Sequence, residues 1–138
     1  MKKSRQYEKE TMNNHIIEGL VADWDDVYKK GQLTFWILLS IYDGKKYAAQ
    51  INEFMYAATD GAFEVKEQSL YRALRRFSDM KLVSIMEEES PNSGPKRKYY
   101  QLTETGEKVL GTFVKLHMKP LLSPNITKLI HELEMKGL

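Results

Sequence analysis

The sequence predicts an α+β fold that is mostly α, with helices on both sides of one β-hairpin. Apolar residues recur every three or four positions along most of the chain, which is the spacing of amphipathic helices. Two short segments, residues 82–88 and 98–102, alternate instead and flank a turn-rich stretch at 90–95. With 138 residues, 42% of them hydrophobic, and no cysteine, the chain can bury a core without disulfides.

The N-terminal part is predicted to contain two helices separated by a break. Apolar residues spaced by four indicate an amphipathic helix over residues 4–22. An acidic junction follows at residues 23–26, and Gly31 is expected to open the next element. Residues 33–42 are apolar on nearly all sides, which is typical of a buried central helix.

Two more helices are expected before the hairpin. Residues 46–58 carry apolar side chains at helical spacing and are followed by a Thr-Asp-Gly turn. Phe63 and Val65 alternate with polar residues and predict a short strand. A further helix is predicted over residues 68–80, so that the two helices enclose a turn.

The C-terminal part is predicted to contain two helices. Thr103 is a good N-cap for a helix that starts at Glu104, and Pro120 is expected to stop that helix. Ser123 and Pro124 provide an N-cap followed by a proline at the first helical position, so a last helix is expected from Pro124 to about residue 136.

The predicted helix at 68–80 has one apolar side and one arginine-rich side. At 100° per residue, Leu74 and Phe77 fall within about 40° of Leu70, which predicts a buried stripe. Arginine can contact guanine or grip phosphate, and hydroxyl groups can donate to phosphate oxygens. The residues of this helix that suit a DNA groove and its flanking phosphates are Gln68, Ser69, Tyr71, Arg72, Arg75 and Arg76.

A basic hairpin follows this helix. Lys96, Arg97 and Lys98 lie beside a Ser-Gly-Pro tip, where they could lie along a phosphate backbone or enter a minor groove. Each basic segment alone fits an ordinary solvated surface, and a net charge of only +2 does not indicate a nucleic-acid binder. Their order, a helix-turn-helix and then a basic hairpin, predicts a winged helix-turn-helix with flanking N- and C-terminal helices.

These segments resemble the PadR-like transcriptional regulators, a winged-helix family of prokaryotic repressors. The likeness spans about residues 31–110 and includes Ile-Tyr-Asp-Gly-Lys-Lys-Tyr at 41–47. Ser-Leu-Tyr-Arg-Ala-Leu-Arg-Arg-Phe at 69–77 resembles the family's Thr-Leu-Tyr-x-x-Leu-x-x-Leu reading helix. The segment from Gly94 to Gly106, Gly-Pro-Lys-Arg-Lys-Tyr-Tyr-Gln-Leu-Thr-Glu-Thr-Gly, is close to the family's wing-to-helix signature.

Two lysines depart from the family pattern. Lys46 stands where the family usually has a glycine before Tyr47, and Lys81 stands where a glycine usually follows the reading helix. Glycine at the second position favours a left-handed C-terminal cap, and lysine adopts those angles less readily.

The resemblance implies a sequence-specific DNA-binding regulator, a repressor that acts as a homodimer on a two-fold symmetric operator. We expect an N-terminal helix and junction at 1–30, a DNA-binding domain at 31–110 and a C-terminal helical segment at 111–138. The flanking parts would form the dimer. The candidate interface residues are apolar and lie along the first and last helices: Ile16, Leu20, Ile126, Leu129, Ile130 and Leu133.

Some members of the family bind flat aromatic compounds between protomers, so the resemblance leaves a small-molecule effector open. The aromatic group available for it here is Trp24, Phe35 and Trp36. A winged helix that binds a protein partner without DNA is the alternative reading. Asp79 on the reading helix and the acidic run at 87–89 keep that alternative open.

The sequence lacks the groups of residues that metal binding and enzymatic catalysis require. The histidines, His15, His117 and His131, lack partners at metal-ligand spacing, and the acidic run has no converging nucleophile. We therefore expect no metal, no cofactor and no enzymatic activity. The start of the chain lacks a signal-peptide core and the longest apolar run cannot span a bilayer, so we expect a cytoplasmic protein.

Overall fold

The computed structural model describes residues 2–91 and 94–137, and its architecture confirms the mostly helical α+β fold. The elements follow in the order α1 Lys2–Asp43, α2 Ala48–Ala58, α3 Glu67–Asp79, β1 Val83–Glu88, β2 Arg97–Leu102, α4 Glu104–Phe113 and α5 Pro124–Met135. The chain divides into two compact units, one ending at Thr34 and the other beginning at Phe35.

Helix α1 is continuous over 42 residues, so the predicted break between two N-terminal helices is wrong. The acidic junction does not interrupt the helix, because aspartate costs a helix only a fraction of a kcal/mol and Asp25 pairs with Lys29 one turn later at 2.9 Å. Gly31 also remains helical, since one glycine costs only about 1 kcal/mol.

The core of the second unit forms where the end of α1 meets α2 and α3. Because α3 buries only one stripe, its other sides remain available to solvent. In this core, the side chains with less than 2% exposure are Phe77, Ile37, Leu38, Ile51, Met55, Leu70, Leu74 and Ser40. The expected burial of residues 33–42 holds for Ile37, Leu38 and Ile41, whereas Tyr42 is 59% exposed.

The connection from α2 to α3 is a turn and an extended segment, and the strand expected at Phe63 and Val65 is absent from the described residues. The Nδ2 group of Asn52 donates to the Val65 carbonyl at 3.2 Å, and the Phe63 amide donates to the Thr59 hydroxyl at 2.9 Å. Side chains of α2 and of its C-cap residue Thr59 therefore satisfy the backbone groups that a neighbouring strand would otherwise satisfy.

Strands β1 and β2 form an antiparallel hairpin, the wing, whose register pairs Val83 with Leu102 and Glu88 with Arg97. Each strand lies within one residue of its predicted bounds. Lys46 adds a short bridge to the sheet, because its amide and carbonyl groups exchange hydrogen bonds of 3.1 and 2.8 Å with Tyr100. The turn expected at 90–95 includes residues 92 and 93, which lie outside the described residues.

Thr103 caps α4 as predicted, since its hydroxyl oxygen accepts a hydrogen bond from the Gly106 amide at 3.0 Å. The α-helical geometry of α4 ends at Phe113, before Pro120. The chain then continues as a π-helical turn at Val114–Met118 and a 3₁₀ turn at Lys119–Leu122. Proline lacks the amide hydrogen that an α-helix would need at residue 120, which accounts for the change of helical pitch.

The start of α5 matches the prediction in position and in part of its chemistry. Ser123 has extended backbone angles, and Pro124 occupies the first turn. Ser123 is therefore the N-cap residue as predicted, although within the described part of the chain its hydroxyl makes no capping hydrogen bond. The Ser123 carbonyl oxygen accepts hydrogen bonds from the amides of Ile126 and Thr127, at 3.1 and 2.9 Å.

Candidate nucleic-acid interface

Helix α3 presents its arginine side to solvent. Leu70, Leu74 and Phe77 are at most 1% exposed, which confirms the predicted buried stripe. Ser69 is half-buried. The remaining candidates on this helix are all exposed, namely Gln68, Tyr71, Arg72, Arg75 and Arg76.

The arginines of α3 are electrostatically available. Among residues 2–91 and 94–137, none of Arg72, Arg75 and Arg76 takes part in an ion pair. Arg76 lies with its guanidinium carbon 5.3 Å from the centroid of the Phe77 ring, at the edge of the core. An exposed guanidinium without a carboxylate partner keeps its full donor set for an anionic ligand.

The end of α3 is closed by a left-handed lysine. Lys81 has φ 61°, its amide donates to the Ser78 carbonyl at 2.9 Å, and the Leu82 amide donates to the Phe77 carbonyl at 2.9 Å. This pair of hydrogen bonds is the Schellman arrangement that glycine usually provides. Lysine therefore adopts the geometry despite its side chain, and the connection from α3 to the wing is a regular cap.

The three basic residues of the wing have different surroundings. Lys96 and Lys98 are exposed, whereas Arg97 is half-buried. The guanidinium carbon of Arg97 lies 4.6 Å from the centroid of the Tyr47 ring, so this residue already has a partner within the protein.

Two clefts between α3 and the wing bring several candidates together. The larger, of about 750 Å³, is lined by the start of α2, by Leu70 and Tyr71 of α3 and by Lys96, Arg97 and Lys98. The smaller, of about 190 Å³, includes Tyr71, Arg75 and Lys98. Gln68, Ser69, Arg72 and Arg76 line neither cleft.

Tyr100 forms the floor of the two clefts between α3 and the wing. It lines both clefts and is 4% exposed. Burial raises the pKa of the Tyr100 hydroxyl above its ordinary value, and the neighbouring Tyr71 adds to the rise. The phenol is therefore neutral at physiological pH, and the acidic residues that line the clefts are Glu67 in the larger and Asp79 in the smaller.

Two residues just before α2, Lys45 and Tyr47, were missed as site residues by sequence reasoning. Lys45 forms an ion pair with Glu88, and its Nζ atom lies 5.4 Å from the centroid of the Tyr99 ring. Tyr47 contacts Arg97, as described above. The neighbouring Lys46 has a structural role, because its Nζ atom donates to the Ser40 carbonyl at 2.7 Å. The only signal in the sequence was that all three belong to the motif at 41–47.

The predicted dimer-interface residues are exposed in the single chain. Ile16 and Leu20 in the first unit are 58% and 65% exposed. In the second unit, the apolar residues of α5 range from 38% to 61%, namely Ile126, Leu129, Ile130 and Leu133. Each helix therefore has an apolar stripe that its own unit does not cover.

The aromatic residues considered for an effector belong to different units. Trp24 is 75% exposed in the first unit. In the second unit, the ring centroid of Phe35 lies 5.3 Å from that of Trp36 and 5.8 Å from that of Phe113. The Trp36 centroid is 6.1 Å from that of Phe63. Phe35 and Trp36 are thus packed aromatics at the edge of the core.

No helix in the described residues is both long enough and apolar enough to cross a bilayer. The length of α1 does not alter this finding, because its longest stretch without a charged residue is residues 31–42, which is too short to cross a bilayer.

Known proteins share both the sequence pattern and the fold. The sequence model of the Transcriptional regulator PadR-like family matches residues 37–112. A PadR-like transcription factor from Bacteroides fragilis is 30% identical with a TM-score of 0.58, covering 80% of this chain and 98% of that one. A PadR-like transcriptional regulator from Bacillus cereus is 29% identical with a TM-score of 0.59, covering 74% and 94%.

Bacillus subtilis PadR, solved in complex with operator DNA, is similar in fold. It is 18% identical with a TM-score of 0.54, and the alignment covers 59% of this chain and 46% of that one. The family match spans more than half of the chain and includes α2, α3, the wing and nearly all of α4. The chain therefore belongs to the PadR-like family of transcriptional regulators, and it is a regulator rather than an enzyme.

Proposed function

We propose that the protein binds duplex DNA through α3 and the wing, and that it represses transcription as a homodimer on a two-fold symmetric operator. One observation carries the DNA-binding part of the proposal. Arg75, from the unpaired arginine side of α3, and the exposed lysines of the wing line two clefts that share Tyr71, Lys98 and Tyr100.

In this proposal α3 reads the major groove. Arg72 and Arg75 are exposed and can form the bidentate contacts to guanine that give arginine its sequence preference. Arg76 and Gln68 flank the groove, and the hydroxyls of Ser69 and Tyr71 donate to phosphate oxygens. The Leu70, Leu74 and Phe77 stripe keeps the helix seated while its outer side is in the groove.

The wing supplies charge beside that groove. Lys96 and Lys98 are exposed and long enough to follow a phosphate backbone, where each neutralised phosphate releases condensed cations. Arg97 contributes to the same basic surface. The complex of Bacillus subtilis PadR with operator DNA supports this use of the fold.

The homodimer would cover the apolar stripes of the flanking helices. Ile16, Leu20 and the stripe of α5 are exposed in the single chain, and an exposed apolar stripe of this length is typical of a protein interface. Two copies related by a two-fold axis would carry two copies of α3, which fits an operator made of two half-sites.

Selection of bound duplexes from a random library tests DNA binding and symmetry together. We expect an enriched palindromic sequence whose half-sites lie about one helical turn apart. Arg75→Ala should weaken binding to this operator and relax the preference at one base position, a loss of about 1–3 kcal/mol. Failure to enrich any sequence at low salt contradicts the proposal.

The wing contact has its own signature. Lys98→Ala should weaken binding to all duplexes similarly and reduce the slope of log affinity against log salt by about 0.9. Lys108→Ala is the matched control, because Lys108 is an exposed lysine of α4 outside both clefts. Equal effects of the two variants would mean that the assigned surface is wrong.

Dimerisation is tested separately by sedimentation of the full chain. Leu20→Glu and Leu129→Glu place charges in the two apolar stripes, so we expect each to shift the protein from dimer to monomer. Glu18→Lys, on an exposed part of α1, should not. Repression is tested with a reporter gene placed behind the selected operator.

A further inference from the structure

A chain of contacts joins five side chains on the half of the wing nearest its tip. The Tyr47 ring lies between the Arg97 guanidinium, 4.6 Å from its centroid, and the Tyr99 ring, whose centroid is 5.5 Å away at an interplanar angle of 89°. Tyr99 in turn contacts the Lys45 ammonium, and Lys45 pairs with Glu88. Glu88 and Arg97, the two ends of this chain of contacts, are paired residues on facing strands of the hairpin.

This chain of contacts is located where the backbone no longer anchors the wing. The hydrogen bonds between Lys46 and Tyr100 attach β2 to the rest of the domain at one position. Beyond Tyr100 towards the tip, the hairpin has two strands only, and an isolated two-stranded ribbon is marginally stable in water. The side-chain contacts of Tyr47 with Tyr99 and Arg97, together with those of Lys45 with Tyr99 and Glu88, therefore orient this part of the wing.

We propose that Tyr47 is a positioning residue, which holds Arg97 and thereby sets the angle of the wing before DNA binds. The inference rests on the proposed DNA-binding function. The flat guanidinium suits the ring face in a way that a lysine ammonium does not, because it stacks as well as attracts. A wing set in advance loses less conformational entropy on binding, so its lysines bind phosphate more tightly.

The proposal assigns the aromatic ring of Tyr47, and not its hydroxyl, as the functional group. Tyr47→Phe should therefore behave like the unaltered protein, whereas Tyr47→Ala should bind DNA on the order of tenfold more weakly. The slope of log affinity against log salt concentration should stay unchanged in Tyr47→Ala, since this substitution removes no phosphate contact directly. Arg97→Lys should show part of the loss, because the charge remains and the stacking does not.

The experiment measures the affinity of the full-length variants for the selected operator duplex at several salt concentrations. The set comprises Tyr47→Phe, Tyr47→Ala, Arg97→Lys, Arg97→Ala and the double variant that combines Tyr47→Ala with Arg97→Ala. Tyr56→Ala is the control for loss of an exposed tyrosine of α2. We expect the double variant to bind no more weakly than Arg97→Ala alone. Additive losses, or equal losses in Tyr47→Phe and Tyr47→Ala, overturn the proposal.

Hydrogen exchange of the wing amides in the free protein provides a second readout that needs no DNA. Tyr47→Ala should exchange faster along β1 and β2, with α3 unaffected, whereas Tyr47→Phe should not. Unchanged exchange in Tyr47→Ala overturns the proposal even if its affinity is low. Should the unaltered protein bind no duplex, the proposed function fails, and the exchange rates still decide whether Tyr47 orients the wing.

Discussion

The hydroxyl of Thr103 donates a hydrogen bond of 2.7 Å to the carbonyl oxygen of Lys81, and so joins the start of α4 to the turn that ends α3. The same hydroxyl accepts from the Gly106 amide at 3.0 Å. One side chain therefore caps one helix and ties it to the end of the other. The position of α3, and of the arginines that it carries, depends on this junction.

Thr103→Val should lower the free energy of unfolding by about 1–2 kcal/mol, because valine keeps the shape and removes both hydrogen bonds. Denaturation in urea measures the change. Thr112→Val is the control, since the Thr112 hydroxyl donates only to Lys108 of its own exposed helix turn, at 2.8 Å. Equal losses in the two variants would contradict a special role for the junction.

Lys81→Gly should stabilise the fold. Lys81 has φ 61°, a conformation that costs a residue with a side chain about 1–2 kcal/mol, and glycine adopts it freely. Part of the gain is offset by the larger entropy of glycine in the unfolded chain, so a net gain of about 0.5–1 kcal/mol is expected. Lys81→Ala retains the strain, and an equal gain there would show that charge or side-chain length is responsible instead.

Gly106→Ala should be strongly destabilising. A methyl group at Gly106 would lie 2.1 Å from the Leu82 carbonyl oxygen and 3.1 Å from a methyl carbon of Leu102. Because the nearest atom belongs to the backbone, α4 must move away from the wing, at a cost of at least about 2 kcal/mol. Gly111→Ala is the matched control on the same helix, because apart from its chain neighbours and the backbone of its own helix no described atom lies within 4 Å of the added carbon. It should raise the melting temperature, through the better helix propensity of alanine.

Lys46→Met should destabilise the protein by about 1–3 kcal/mol. The Lys46 ammonium donates to the carbonyls of Ser40 and Gly44, at 2.7 and 3.3 Å, and methionine can replace the aliphatic stem but not these donors. Those carbonyls lie at the end of α1, where helical partners are lacking. Lys108→Met, at an exposed ion pair, should change the free energy of unfolding by less than about 0.5 kcal/mol, and a comparable loss there would be unexpected.

Stability should fall in alkali through Tyr100. Burial, with Tyr71 adding to the effect, raises the pKa of Tyr100 in the folded protein above that of the unfolded chain. The folded state then binds the Tyr100 proton more tightly than the unfolded chain does. The resulting contribution to the free energy of unfolding is complete below about pH 10 and is lost as the pH rises through the folded pKa. Urea denaturation from pH 9 upward should show a steeper loss than in Tyr100→Phe. If the free energy of unfolding fell equally with pH in the two proteins, the prediction would be wrong.

Several features of the site follow from local rules, and the sequence predicts them. The stripe of Leu70, Leu74 and Phe77 is a matter of helical periodicity. The cap at Thr103 depends on residue type and on its place before Glu104. Both predictions are confirmed, because such signals depend on neighbours within about four residues and little else. The assignment of individual DNA contacts stays a prediction.

The predictions that failed depended on partners distant in sequence or on small energies. The break expected in α1 rested on weak helix propensities, which the continuous helix overcomes. The strand expected at Phe63 and Val65 failed because Asn52 and Thr59, from another element, satisfy the backbone groups there. No pattern of alternation reveals that a side chain will take the place of a strand.

By itself, the sequence determined the winged helix and the direction in which α3 presents its arginines, because periodicity and order along the chain suffice for both. Only the tertiary structure decided what the similar basic residues do. Lys46 closes the end of α1, Arg97 stacks on Tyr47, and Lys96 and Lys98 remain free for solvent. The physical reason is that a charged side chain takes its role from the groups that folding brings within hydrogen-bonding or stacking distance.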